Sequence, residues 1–245
     1  MLSDMFKHYI YLILVGFFCC QIHAIEPKEI LARADAARGN LDGVRWTVEI
    51  TDADEATRKI EVRARGFDMR AETLAPSRQK GHTLLLSKGN MWFYKPGLSK
   101  AVPVSTRQKL AGKAANGDIA STNYAEDYEV LSMQEGMLDS EPCYLFELQA
   151  ESRNVTYARI KYWISKERLV GLRAEYYNPD GSKQLKHANM SYAHSILKQG
   201  EDIPFISRIS ISDAIGDTTK TIMKFSPPEL GPVPNRLFSP QSLAR

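Results

Sequence analysis

The hydrophobic pattern changes period once, near residue 44. Behind Glu26-Pro27-Lys28-Glu29, the residues Ile30, Leu31, Ala34 and Ala37 recur at helical spacing until Gly39-Asn40 ends the run. This predicts a short amphipathic helix with proline in its first turn and glycine past its end. Val44, Trp46, Val48 and Ile50 then alternate with Arg45, Thr47 and Glu49, giving a strand with one apolar face. Ile60, Val62 and Ala64 repeat the alternation, and the parity changes at Arg65-Gly66 before Phe67 and Met69, which suggests a bulge or bend that curves a sheet. The apolar run 83–86, the dipeptide Gly89-Asn90 and the aromatic run 91–94 read as a hairpin. Further strands are predicted over 128–133, 144–148, 158–164, 169–177, 185–196, 206–211 and 221–225, with turn signals at Glu135-Gly136, Asn178-Pro179-Asp180-Gly181 and Gly216-Asp217.

The sum is a mainly β chain, a meander of about ten or eleven antiparallel strands with few helices to cover them. Such a sheet must curl and bury one face. The other helical candidates are 105–114 and a last turn from Ser239-Pro240 to Leu243, while 113–122 is small and polar and reads as a mobile loop.

Composition adds bounds to this picture. The chain has 245 residues, 43% of them hydrophobic, enough for a sizeable core in one domain. Residues 1–24 stand apart: Lys7 and His8 precede an apolar run over 9–20, followed by Gln21-Ile22-His23-Ala24. That layout predicts a cleaved secretory signal over 1–24 and a single domain over 25–245, hence a periplasmic location. The alternative is a retained anchor, although a run of roughly a dozen residues falls short of the ~20 that span a bilayer. Cys19 and Cys20 leave with the signal, so Cys143 stands alone and no internal disulfide can staple the fold. Net charge is +3 with both signs interspersed, which argues against nucleic acid as a partner.

No motif of nucleophilic, metal-dependent or phosphate-binding catalysis occurs, so no catalytic residue, metal site or cofactor is assigned. Outside the leader, His82, His187 and His194 are the remaining histidines, and the odd spacing of the last two sends them to opposite faces of a continuous strand. Glu126-Asp127 and Asp54-Glu55 read as solvated loop charge.

The run Thr83-Leu84-Leu85-Leu86-Ser87-Lys88-Gly89-Asn90-Met91-Trp92-Phe93-Tyr94-Lys95-Pro96 resembles the central hairpin of the LolA-type periplasmic lipoprotein carriers. The opening helix, Phe225-Ser226-Pro227-Pro228 and the segment from Asn116-Gly117-Asp118 to Tyr124-Glu126-Asp127-Tyr128 fall in matching order. That segment, with the ending Arg236-Leu237-Phe238-Ser239-Pro240-Gln241-Ser242-Leu243, is similar to the branch called outer membrane lipoprotein-sorting proteins.

The resemblance implies an open half-barrel with short helices as a lid over an apolar cavity, and a non-catalytic carrier of lipoprotein or lipid acyl chains. On that reading the cavity residues are Trp46, Val48, Ile60, Val62, Leu84, Leu86, Trp92, Tyr94, Tyr162 and Tyr176, each of which could instead be plain core. Family carriers fasten the lid with an arginine followed by proline; the nearest counterpart here is Arg65, followed by Gly66. The partners implied are an inner-membrane lipid transporter and an outer-membrane acceptor. Two other readings stay open: an envelope scaffold docking to a lipid exporter, and a hydrolase with its nucleophile beside one of the three histidines.

Overall fold

The computed structural model describes residues 25–52, 55–120, 122–214 and 219–243. The signal assigned to 1–24 and the Gly216-Asp217 turn lie outside them. A helix, α1 (Pro27–Ala36), leads into β1 (Val44–Asp52), β2 (Glu55–Arg65), β3 (Asp68–Ala75), β4 (Thr83–Ser87), β5 (Asn90–Tyr94) and β6 (Val102–Val104). Two short strands follow, β7 (Lys109–Ala111) and β8 (Ala114–Ala115), then one helical turn, α2 (Tyr124–Asp127). The second half runs β9 (Tyr128–Leu138), β10 (Glu141–Ala150), β11 (Arg159–Ser165), β12 (Gly171–Tyr177), β13 (Gln184–Ser191), β14 (His194–Lys198), β15 (Glu201–Phe205), β16 (Arg208–Asp213), β17 (Thr221–Phe225) and β18 (Glu229–Leu230).

Fourteen of these strands form one antiparallel sheet in the order β6-β5-β4-β3-β2-β1-β17-β16-β13-β12-β11-β10-β9, with β18 on β1. The expected class is therefore the observed one, with more strands than the sequence suggests. The sheet is open: β6 and β9 are its two edges, yet they are consecutive strands of the main path along the chain. Whatever joins them must cross from one edge to the other.

Local chemistry explains where element boundaries differ from the sequence reading. The parity change at Arg65-Gly66 is a hairpin turn, since Arg65 pairs with Asp68 across Gly66-Phe67 and Gly66 adopts φ 57°. The next turn is Lys88-Gly89, one residue earlier than Gly89-Asn90: Ser87 pairs with Asn90, and Lys88 and Gly89 both have positive φ, as a two-residue hairpin in the sense of the sheet twist requires. Glu135-Gly136 is not a turn, because Gly136 pairs with Cys143 within the ladder and the chain reverses at Asp139-Ser140, both at positive φ. The segment 185–196 splits, as β13 pairs with β16 while β14 leaves to form a separate hairpin with β15. The segment 105–114 is not helical. Gly112 sits at φ 51°, outside helical space, and β7 and β8 pair across it before a 3-10 turn at Asn116–Ile119. Nor is 113–122 a solvated loop: Ala114, Ala115, Asn116, Asp118, Ile119, Ala120 and Thr122 are all buried.

One apolar cluster fills the concave face. Val44, Trp46, Val48 and Ile50 of β1 face Ile60, Val62 and Ala64 of β2, and the surface continues through Met69, Ala71, Leu84 and Leu86. On the far half it runs through Phe146, Leu148, Ile160, Tyr162, Ile164 and Tyr176. The apolar side of α1 (Ile30, Leu31, Ala34) and the β14–β15 hairpin (Ile196, Phe205) close over it, with the rings of Trp46 and Phe205 in edge contact at 5.5 Å. The convex face carries a second, smaller cluster. Leu85, Trp92 and Tyr94 pack there against Phe238 and Leu243 of the C-terminal segment. Strand β4 is thus buried on both faces, which is why 83–86 reads as an unbroken apolar run rather than an alternation.

Candidate functional site

The connection from β6 to β9 forms a strap over the concave face, and its anchors map its path. The guanidinium of Arg58, on β2 and in phase with Ile60, donates to the carbonyl of Leu110. The Lys113 amide donates to Thr221 Oγ1 on β17 at 2.8 Å, and Lys113 Nζ pairs with Asp213 on β16 at 2.6 Å. Lys186 Nζ on β13 donates to the Lys113 carbonyl at 2.7 Å. Asp118 accepts from its own chain at the Ala115 amide (2.7 Å) and from the Tyr157 hydroxyl (2.8 Å), and Tyr128 OH donates to the Tyr157 carbonyl. Where the strap runs into α2, Asn40 Nδ2 donates to the Thr122 carbonyl and Asp35 accepts from the Ala125 amide at 2.9 Å. These bonds satisfy backbone groups that would otherwise be stranded over an apolar surface.

The strap divides the hollow into two cavities. One, of about 140 Å³, lies between Leu86, Phe67, Ala120, Tyr124, Tyr128 and Tyr157, with Arg38 the single cation among the described residues lining it. The other, of about 260 Å³, is lined by Ile60, Ala71, Leu84, Phe93, Leu110 and Ile119, with Arg58 and His82 at its polar side. Ile119, in the 3-10 turn, is fully buried on the second cavity's wall and belongs to the main core. Each cavity is smaller than the ~300 Å³ at which ligand pockets begin, so an extended apolar ligand needs the strap to yield.

The position of Gly112 shows how closely the strap is seated. A Cβ there would stand 2.3 Å from Thr221 Oγ1 and 2.6 Å from Asp52 Cγ, on a backbone with positive φ. Gly112→Ala is therefore expected to lift the strap at its β17 anchor and lower stability by about 1–3 kcal/mol. Faster uptake of a fluorescent fatty acid reads the first effect; chemical denaturation reads the second.

Eight of the ten residues assigned to the cavity from sequence share the concave cluster: Trp46, Val48, Ile60, Val62, Leu84, Leu86, Tyr162 and Tyr176. Leu86 borders the first cavity, and Ile60 and Leu84 the second; the others are packed under α1 and the strap. Trp92 and Tyr94 are not in that hollow. Trp92 pairs with Leu85 and Tyr94 with Thr83, the parity opposite to Leu84 and Leu86, so both rings meet the C-terminal segment on the convex face. Arg65 is not a strap latch either: its carboxylate partner is Asp42, at 3.7 Å, in the loop after α1. Sequence reasoning assigned none of the strap's anchors, among them Arg58, Asn40, Lys113, Asp213, Lys186 and Asp118. Arg58 left a signal of its own, a cation in phase with the apolar side of β2, and Asp118 lies in a segment that the resemblance singled out without giving it a role.

The histidines lie apart in the fold. His82 stands edge-on to Phe93 at 5.5 Å, and burial, then the charges of Lys95 and Arg58, push its pKa down. His187 is lowered by burial and by Arg173, and the His194 ring meets the Phe225 carbonyl at 2.9 Å. Cys143 is a buried free thiol whose pKa burial raises. No group of three metal-ligating side chains and no helix long and apolar enough to cross a membrane occurs among the described residues.

Comparison with known proteins extends the geometry. A family model described as that of an uncharacterized protein matches residues 68–245. Among solved structures, a LolA superfamily protein from Nitrosomonas europaea is 26% identical at TM-score 0.75, covering 88% of this chain and 98% of its own. A domain described as that of an outer membrane lipoprotein-sorting protein from Vibrio parahaemolyticus is 17% identical at TM-score 0.73, covering 89% and 98%. A DUF1329 family protein from Desulfovibrio piger is 20% identical at TM-score 0.68, covering 88% and 97%. No curated protein matches by sequence.

Proposed function

The chain belongs to the LolA-like superfamily, and on that premise we propose that it is a periplasmic carrier that shields acyl chains of a lipid or lipoprotein in the hollow between the curved sheet and the strap. The observation that carries this reading is the strap itself: a segment laid across a mainly apolar concave face and anchored on a few polar side chains at its margins, with cavities on both sides of it. Detaching the strap costs about 0.5–1.5 kcal/mol per hydrogen bond, together with the burial of Ala111, Ala114, Ile119 and Ala120, side chains that an acyl chain can cover in turn. Each CH₂ buried in its place contributes about 0.8 kcal/mol, so a single long chain offsets several broken anchors.

The carrier does its work by sequestration, with no chemical step. The leader exports it, residues 25–245 act as one domain, and membrane partners at either side of the periplasm load and unload it. Carriage requires reversible occupancy, and the loss of strap anchors on loading supplies the opposing free energy that permits release.

Mass spectrometry of lipids extracted from the protein after gentle purification from the periplasm tests this. Stoichiometric acyl species are expected. Repeated empty preparations that also fail to take up a fluorescent fatty acid would overturn the carrier reading and leave a docking scaffold in its place.

A further inference from the structure

Arg38 is an unusual tenant of an acyl-binding hollow. It follows the C-terminal end of α1, where its amide donates to the Asp35 carbonyl, and its side chain turns inward to only 6% exposure on the wall of the smaller cavity. A guanidinium cannot shed its charge, so a full cation with five N–H donors stands on the wall of a largely buried cavity. Its hydrogen bond to protein is from Nη1 to the sulfur of Met190 at 3.6 Å, a weak acceptor. No described carboxylate approaches it at ion-pair distance, and no described ring lies beneath it in cation–π register, although Lys161, Lys166, Arg173 and Lys186 all have such rings. Tyr124, Tyr162, Tyr176 and Tyr192 surround it electrostatically.

The other charges nearby attract it without pairing with it at ion-pair distance. Asp118, across the cavity, is already held by Tyr157, the Ala115 amide and Lys186 at 3.9 Å. Asp127 bonds Asn123, and Asp35 faces the Ala125 amide. A structural arginine would be expected to satisfy its fork within the protein, because an unpaired buried cation costs several kcal/mol. Here the fork borders a cavity whose remaining lining is mixed, with Phe67, Leu86, Val155 and the rings of Tyr124, Tyr128 and Tyr157 beside the hydroxyls and amides of the strap and the carboxylates of Asp118 and Asp127, while Arg38 is the single cation among its described lining residues.

Resting on the carrier reading, we propose that Arg38 is the head-group anchor of the hollow: its guanidinium takes the oxygens of a carboxylate or phosphate on an anionic acyl lipid, and the chain runs from there past Leu86 beneath the strap toward Leu84 and Ile60. The planar fork matches either group bidentately. Chains linked as neutral esters or amides, as on a lipoprotein's modified cysteine, present no anion at this point, so the cargo is a free anionic lipid.

The test titrates palmitate, methyl palmitate and lysophosphatidic acid against the protein and its Arg38→Gln and Arg38→Lys variants. The native protein is expected to bind palmitate, lysophosphatidic acid or both at least about tenfold more tightly than the neutral ester. The acid that wins identifies the head group. Arg38→Gln should erase the preference with ester binding unchanged, and Arg38→Lys should keep part of it. Equal binding of acid and ester by the native protein would overturn the anchor while leaving the carrier intact; this comparison needs no variant to fold. Binding of none of the three would overturn the carrier reading as well.

Discussion

Replacing Leu86 by glutamate is expected to abolish acyl uptake, whereas replacing Trp92 by alanine is expected to leave it intact. The two side chains lie near one another on a single hairpin, and their sequence context gives no reason to separate them. The ladder does separate them: Leu86 faces Met91 on the concave side at the wall of the cavity beside Arg38, while Trp92 faces Leu85 on the convex side under Phe238 and Leu243. A carboxyl at position 86 brings a group whose burial costs several kcal/mol into the path of the chain, enough to reduce affinity by a hundredfold or more. Truncating Trp92 removes packing for the C-terminal segment and should lower stability by about 2–4 kcal/mol. Because both variants lose stability, uptake per folded molecule is the quantity to compare, with fluorescent fatty acid titration and a denaturation curve on the same samples. Loss of uptake in Trp92→Ala equal to that in Leu86→Glu would place the acyl site on the wrong face of the sheet.

Asp35→Asn is expected to stabilise the protein at neutral pH by up to about 3 kcal/mol and to change nothing near pH 4. Asp35 is buried on α1, and burial pushes its carboxyl up from 3.8 to about 6, against the hydrogen bond from the Ala125 amide and the attraction of Arg38. One carboxylate oxygen, Oδ1, has no hydrogen-bond partner. Between pH 4 and 6 the folded protein therefore retains a proton that the unfolded chain has already lost. Stability from this group is highest below that window and falls as pH rises through it. Asparagine keeps an acceptor for Ala125 and has no charge to bury, so its denaturation midpoint should not fall across the same range. A parallel fall in both proteins would show that another group titrates there.

Strand periodicity made most of the sheet readable from sequence, because β1, β2 and the strands of the far half each bury one face and expose the other. The readings failed where the chain is buried on both sides or pairs out of order. The run 83–86 hid the convex contact of Leu85, so Trp92 and Tyr94 were assigned to the concave hollow by their chemistry when their parity put them opposite. In 105–120, small residues such as Ala114, Ala115 and Gly117 resemble a solvated loop in composition, yet they are small because a strap pressed onto a packed face has no room for larger ones; a Cβ at Gly117 would stand 2.0 Å from Thr156 Oγ1. Arg38 left no sequence signal at all, since a basic residue just past a helix is ordinarily a solvated one favoured by the helix dipole. Only the inward turn of its side chain distinguishes it.

The central claim is that an acyl chain enters beneath the strap on the concave face. Amide hydrogen exchange of the full protein, with and without saturating palmitate, tests that location directly. The expected result is altered protection in residues 105–120 and in the facing strands β1, β2 and β4, with the C-terminal segment around Phe238 unchanged. Binding of palmitate with no change in the strap, or with changes confined to the C-terminal segment, would contradict the account.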